Sequence, residues 1–122
     1  MADQIVWCDI PVVDVDRAIR FYSAILGQAV RKESFPGVTM GVLPHAGESE
    51  SVSGCLVKME EAQPSANGPL IYLNCTDRLD AAGAAVEPNG GKILKAKHSI
   101  GPYGFRTVIL DSEGNRVALH SK

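Results

Sequence analysis

The stretch QIVWCDIPVVDVDRAIRFYSAILG, residues 4–27, reads as a strand running straight into a helix. In residues 5–12 Val6, Cys8, Ile10 and Val12 fall on one face and Ile5, Trp7, Asp9 and Pro11 on the other, the two-residue period of a strand. The pattern then changes. Asp14 carries the short oxygen-bearing side chain that an N-cap needs, Asp16 suits the positive end of the helix dipole, and Gly27 supplies a left-handed stop. Between the caps Val15, Ala18, Ile19, Tyr22 and Leu26 recur at helical spacing and form one apolar stripe.

Working outward, residues 29–35, 38–43 and 54–59 read as three short strands, with the turn FPGV between the first two and the polar, acidic loop PHAGESESVSG before the third. Residues 60–69, EEAQPSANGP, form a linker. The order then repeats. Residues 70–75 are a strand, Asp77 is the expected cap of a short alanine-rich helix, and Pro88 with NGG ends that helix. Strands over residues 92–97, 105–110 and 116–121 follow, with the turn DSEGN between the last two. The expected fold is α+β, a single domain over 1–122 made of two βαβββ units, about 4–59 and about 70–121. A unit of that size buries too little surface to stand alone, so the two copies should pair.

Composition narrows the function classes. The 122 residues are 45% hydrophobic and 21% charged, as in ordinary globular chains. A net charge of −2 gives no electrostatic basis for a nucleic-acid or membrane-surface partner. No apolar run approaches the roughly 18 residues of a membrane helix, and the start MADQ lacks the basic and apolar regions of a secretory signal. The three cysteines, Cys8, Cys55 and Cys75, are odd in number and widely spaced, and are expected to be reduced core residues. The expected location is the cytoplasm.

Three motifs carry a resemblance. PVVDVDRAIRFYSAILG (11–27), TDRLDAAGAAVEPNGGKI (76–93) and ILDSEGNRVALHS (109–121) are similar to the vicinal oxygen chelate superfamily, which includes glyoxalase I, extradiol dioxygenases and bleomycin-resistance proteins. GPYGFRTVILDSEGNRVALHS resembles a glyoxalase-related subgroup of undefined substrate. The resemblance implies a curved, partly closed mixed sheet around a cavity, a homodimer, and a divalent metal. It places the metal ligands, a histidine on the first strand and a glutamate on the last strand of each half, at Trp7, Leu70, Ala118 and the strand 54–58. Indole, alkyl and methyl groups donate nothing to a cation that needs three or four convergent N, O or S atoms. The inherited metal site is therefore expected to be absent, and a divalent metal enters only through displaced ligands such as Asp9 and His120.

Within the cup that the resemblance implies, strand parity groups Trp7, Asp9, Tyr72, Asn74, Arg116 and His120. His120 and Asp9 are the candidates for proton transfer. Trp7, Tyr72, Asn74 and Arg116 are the candidates for substrate binding, the last by clamping a carboxylate or phosphate. Tyr103 and Phe105, in and after the connection SIGPYGF, join them if that connection folds over the mouth. His45, beside Glu48 and Glu50, is a further metal-loop candidate, with a solvated loop as the alternative.

No phosphate loop, nucleophile elbow or aromatic-basic run is present. Three functions stand open: a metal-free protein binding a small organic molecule in the cavity, a metal-dependent lyase, isomerase or dioxygenase, and a non-catalytic module that sequesters a drug or metabolite.

Overall fold

The first strand, β1 (Trp7–Pro11), passes into α1 (Val15–Leu26) through a cap that works as the residue types require. Asp14 accepts a hydrogen bond from the Arg17 backbone N–H at 3.0 Å, and Gly27 closes the helix at φ 69°, its N–H returning to the Ser23 carbonyl. The computed structural model describes residues 4–47 and 52–122. The middle of the acidic loop, with Glu48 and Glu50, lies outside the described residues.

β2 (Arg31–Phe35), β3 (Val38–Val42) and β4 (Ser53–Val57) complete the first half. The second half runs β5 (Ile71–Asn74), α2 (Leu79–Val86), β6 (Lys92–Ser99), β7 (Phe105–Leu110) and β8 (Arg116–Ser121). The result is two four-stranded mixed sheets ordered β1-β4-β3-β2 and β5-β8-β7-β6, each with its first and last strands parallel. This is the α+β fold expected, left open rather than closed into a barrel.

One apolar cluster serves both halves: Ile10, Phe21, Ile25 and Leu56 from the first meet Leu73, Val86, Val117 and Leu119 from the second. α1 packs on its own sheet and on α2. Its apolar arc is therefore wider than the stripe read from spacing, and Phe21 and Ile25 are also buried. At the β1–β4 seam, a Cβ on Gly54 would come within 2.5 Å of the Cys8 carbonyl oxygen, so only glycine lets the two parallel strands close here.

Asp77 does not cap α2. It sits at φ 67°, a left-handed conformation that aspartate tolerates, and the cap position falls to Arg78, which makes no side-chain cap bond. Arg78 works at the other helix instead. Its guanidinium donates to the Ile25 carbonyl at the C-terminus of α1, where a cation favours the helix dipole.

The turn DSEGN does more than reverse the chain. Asp111, buried to 3% exposure, accepts from the backbone N–H groups of Glu113 and Asn115 through Oδ1. Its Oδ2 accepts from the Tyr22 hydroxyl at 2.5 Å and from Asn115 Nδ2 at 3.0 Å. Burial, then the Asp111 charge, pushes the Tyr22 hydroxyl well above its ordinary range, which keeps it protonated as the donor. Asn115 Nδ2 also donates to the Pro11 carbonyl at 2.8 Å. Glu113 accepts from the N–H groups of Val13 and Asp14 and from Arg17. The last turn of the second half thus braces the strand-to-helix corner of the first.

Candidate functional site

The hollow lies between the two sheets. β1 pairs only with β4 and β5 only with β8, so each presents a free edge among the described residues. A cavity of about 1210 Å³ opens along these edges, with residues of both strands on its walls. Trp7, Asp9, Tyr72, Asn74 and Arg116 all line it. Five of the residues grouped by strand parity are thereby brought to one hollow, and Trp7, 44% exposed, stands outside the apolar core.

Each of these side chains is positioned by a nearby element. Trp7 and Asp9 stand opposite Ser53 and Cys55 in the parallel pairing of β1 with β4. The Cys55 thiol donates to Asp9 Oδ1 at 3.3 Å. Asn74 turns its Oδ1 onto the Thr76 N–H at 3.0 Å, a local side-chain turn. Arg116 opens β8 directly after the brace. Its Nε is buried and has no hydrogen-bond partner among the described residues.

His120, Tyr103 and Phe105 are placed elsewhere. His120 shares a register position with Asn74 but lies one strand further in and does not line the cavity. Its Nε2 meets the Tyr103 carbonyl at 2.6 Å. A carbonyl only accepts, so Nε2 carries the proton and Nδ1 is the nitrogen left to act as a base. Tyr103 is 75% exposed and also off the walls. Phe105 shares the face of Thr107 and Ile109, which are buried on the helix side of the sheet. It borders a smaller recess with Leu79 and Lys97, the Lys97 ammonium standing 5.4 Å from its ring centroid. The connection Ser99–Phe105 therefore does not bring Tyr103 and Phe105 to the hollow in this structure.

Two contributors escaped the sequence reading. The linker forms part of the wall through Gln63, Ser65 and Pro69, held there because Ser65 bonds Asn115 Oδ1 through its N–H and Arg116 N–H through its carbonyl. Arg106 donates to the Tyr72 hydroxyl at 2.6 Å and to His98 Nε2 at 3.0 Å, fixing the phenol from behind. Parity on β7 would have found it, since Arg106 pairs with His120. His45, the loop candidate named from the sequence, lines the cavity, its Nδ1 accepting the Gly47 N–H at 3.0 Å.

The positions that the resemblance gives to metal ligands carry no donor side chain at Trp7, Leu70 and Ala118. Trp7 and Leu70 line the hollow, and Ala118 is fully buried within the sheet. Among the described residues no group of three or more His, Cys, Asp and Glu side chains is close enough to share a metal ion. Asp9 with Cys55 is a two-atom fragment, and its thiol is held protonated. Burial is the largest influence on Cys55, the Asp9 carboxylate adds to it, and its pKa rises to about 11. Burial also raises Cys8 and Cys75. Iodoacetamide at pH 8 is therefore expected to label the native chain slowly and all three free thiols after unfolding, as read by intact mass. Rapid native labelling of Cys55 would contradict this placement.

The overall arrangement recurs in solved structures. A glyoxalase/bleomycin resistance protein from Albidiferax ferrireducens T118 superposes with a TM-score of 0.75 at 16% identity, over 98% of this chain and 99% of that one. Glyoxalase I from Zea mays gives 0.71 at 24% identity, over 93% of this chain and 44% of its own longer one. These likenesses establish the fold alone. In sequence, a glyoxylase-like domain-containing protein from Didymella fabae is 36% identical over 121 residues, spanning 95% of this chain and 91% of that protein. No helix among the described residues is long and apolar enough to cross a membrane. With residues 4–119 matching the family model of the Glyoxalase/Bleomycin resistance protein/Dioxygenase superfamily, the chain belongs to that superfamily.

Proposed function

We propose that this chain binds a small organic molecule in the hollow between its two sheets and does so without the metal site usual in its superfamily. The observation that carries the reading is the wall itself: aromatic Trp7 and Tyr72, polar Asn74 and charged Asp9 and Arg116 converge on one cavity of about 1210 Å³. Apolar surface with a few convergent polar groups is the composition of a small-molecule pocket. The metal-free part is supported by the donor set: among the described residues no three His, Cys, Asp or Glu side chains are close enough to share a cation that needs three or four donors.

In this reading Trp7 and Tyr72 supply stacking surface, and Asn74 and Arg116 hold polar atoms of the ligand. Asp9 is the acid-base group that touches the ligand. His120 is one strand removed, so its Nδ1 takes part only through an intervening group. Turnover separates a lyase or isomerase from a sequestering module.

Trp7 is the sole tryptophan, so its emission reports on the cavity alone. A set of neutral and charged organic fragments titrated into untagged protein should include members that change Trp7 emission saturably and raise the melting temperature. Absence of any such member sinks the binding reading. A stoichiometric divalent ion in elemental analysis of the same preparation sinks the metal-free part. Conversion of the bound fragment, followed by NMR, distinguishes catalysis from storage.

A further inference from the structure

From the state of Arg116 we infer the chemical class of the ligand: an organic monoanion whose carboxylate seats on the Arg116 guanidinium and whose apolar body lies along Trp7 and Tyr72. This rests on the proposed reading of the hollow as a binding site.

Arg116 is the one arginine on the cavity wall among the described residues. The ion pairs between described residues involve Arg17, Arg31, Lys32 and Lys97, and none reaches Arg116. Its Nε is buried without an acceptor. A guanidinium N–H removed from water and left unpaired is a standing cost to the fold. The two Nη groups at the outer end of the guanidinium form a planar pair that two carboxylate oxygens match, and a ligand supplying them gives the unpaired cation its counter-charge.

The charge on the walls selects the valence of the anion. Asp9 is the only described acidic residue lining the hollow, set against the single guanidinium. One further negative charge is compensated by Arg116. A dianionic phosphate monoester would leave excess negative charge beside the Asp9 carboxylate in a partly desolvated space.

The position of Arg116 is also well fixed. It directly follows Asn115, which the brace locks to Pro11 and Asp111, and its own N–H meets the Ser65 carbonyl at 3.4 Å. The backbone that carries the guanidinium is thus set before any ligand arrives, the preorganisation that binding rewards.

The test compares phenylacetate, phenylacetamide and phenyl phosphate against the full chain at pH 7, following Trp7 emission. Phenylacetate is expected to bind roughly tenfold tighter than its neutral amide, the margin of a charge-assisted, bidentate contact. Arg116→Gln should erase that margin by weakening the acid far more than the amide, and Arg116→Lys, which keeps the charge but not the fork, should retain part of it. Equal binding of acid and amide to the unmodified chain overturns the inference, as does a preference that survives in Arg116→Gln. Tighter binding of phenyl phosphate overturns the carboxylate assignment in favour of a dianion. If all three fail while neutral fragments still perturb Trp7, the anion inference falls and the binding reading stands. Silence from every fragment removes both. Should Arg116→Gln not fold, the acid-amide comparison and Arg116→Lys still decide.

Discussion

Replacing Asp111 with alanine is expected to lower the stability of the chain by about 3–5 kcal/mol, a large share of the roughly 5–15 kcal/mol that holds a domain of this size together. Four donors converge on this carboxylate: the Tyr22 hydroxyl, two backbone N–H groups and the Asn115 amide. Asp111 and Asn115 are buried, at 3% and 6% exposure, and Tyr22 is fully so. Water therefore cannot simply take the place of the lost oxygens. Asp111→Asn keeps one oxygen for the two backbone donors and offers Nδ2 to the Tyr22 oxygen, although it then faces the Asn115 amide. It should cost about 1–2 kcal/mol. Urea denaturation of both variants checks the ordering. If Asp111→Ala costs no more than Asp111→Asn, the turn does not brace the two halves.

Loss of Glu113 should be the second large effect, and it should depend on pH. Its side chain has no exposed surface. Burial opposes the charge and is the largest single influence. The Arg17 guanidinium, the Asp14 and Val13 N–H groups and the Ser112 hydroxyl together outweigh it and draw the pKa from 4.5 to about 2. A folded-state pKa below the unfolded one stabilises the native chain above the unfolded value, and that stabilisation is lost as pH falls through the folded value. Wild type should therefore lose stability between roughly pH 5 and pH 2 relative to Glu113→Gln, which carries no titrating group there. At pH 7 Glu113→Ala is expected to cost about 2–3 kcal/mol, since the Val13 and Asp14 donors at the start of α1 lose their acceptor. Parallel acid limbs for wild type and Glu113→Gln would show that Glu113 is not held as the geometry indicates.

These two residues also show where reading the sequence stopped. DSEGN reads correctly as a turn, because turn chemistry is local. The partners of Asp111 and Glu113 lie 89 and 96 residues away at Tyr22 and Arg17, a distance no window along the chain spans. The linker failed in the same way. Its polar, proline-containing composition fits a connection, and only the Ser65–Asn115 bond makes it a wall of the hollow. Asp77 was misread because its residue type suits a cap, whereas its φ of 67° is set by how the chain enters α2.

Other features were legible for a physical reason. The alternation in β1 and the 3.6-residue recurrence in α1 each belong to one element, so Asp14, Gly27 and the shared face of Trp7 and Asp9 could be read directly. Parity also placed Tyr72 and Asn74 opposite Leu73 and Cys75, of which the latter two are buried. Parity says which side of a sheet a residue takes, and it is silent on which stretch of that side borders a cavity. His120 is the example: it has the register position of Asn74, yet Asn74 is on the edge strand at the hollow and His120 is not.

The amino-acid order alone settled two strand-helix-strand-strand-strand copies and the inward face of each, because periodicity and capping act within a few residues. Docking of the copies decided that β1 and β5 both border one hollow with their free edges, that Arg116 lines it with a buried, unanswered Nε donor, and that His120 stands apart. Those outcomes come from contacts such as Arg78 with Ile25 and Glu113 with Arg17, which exist only once the two copies have met.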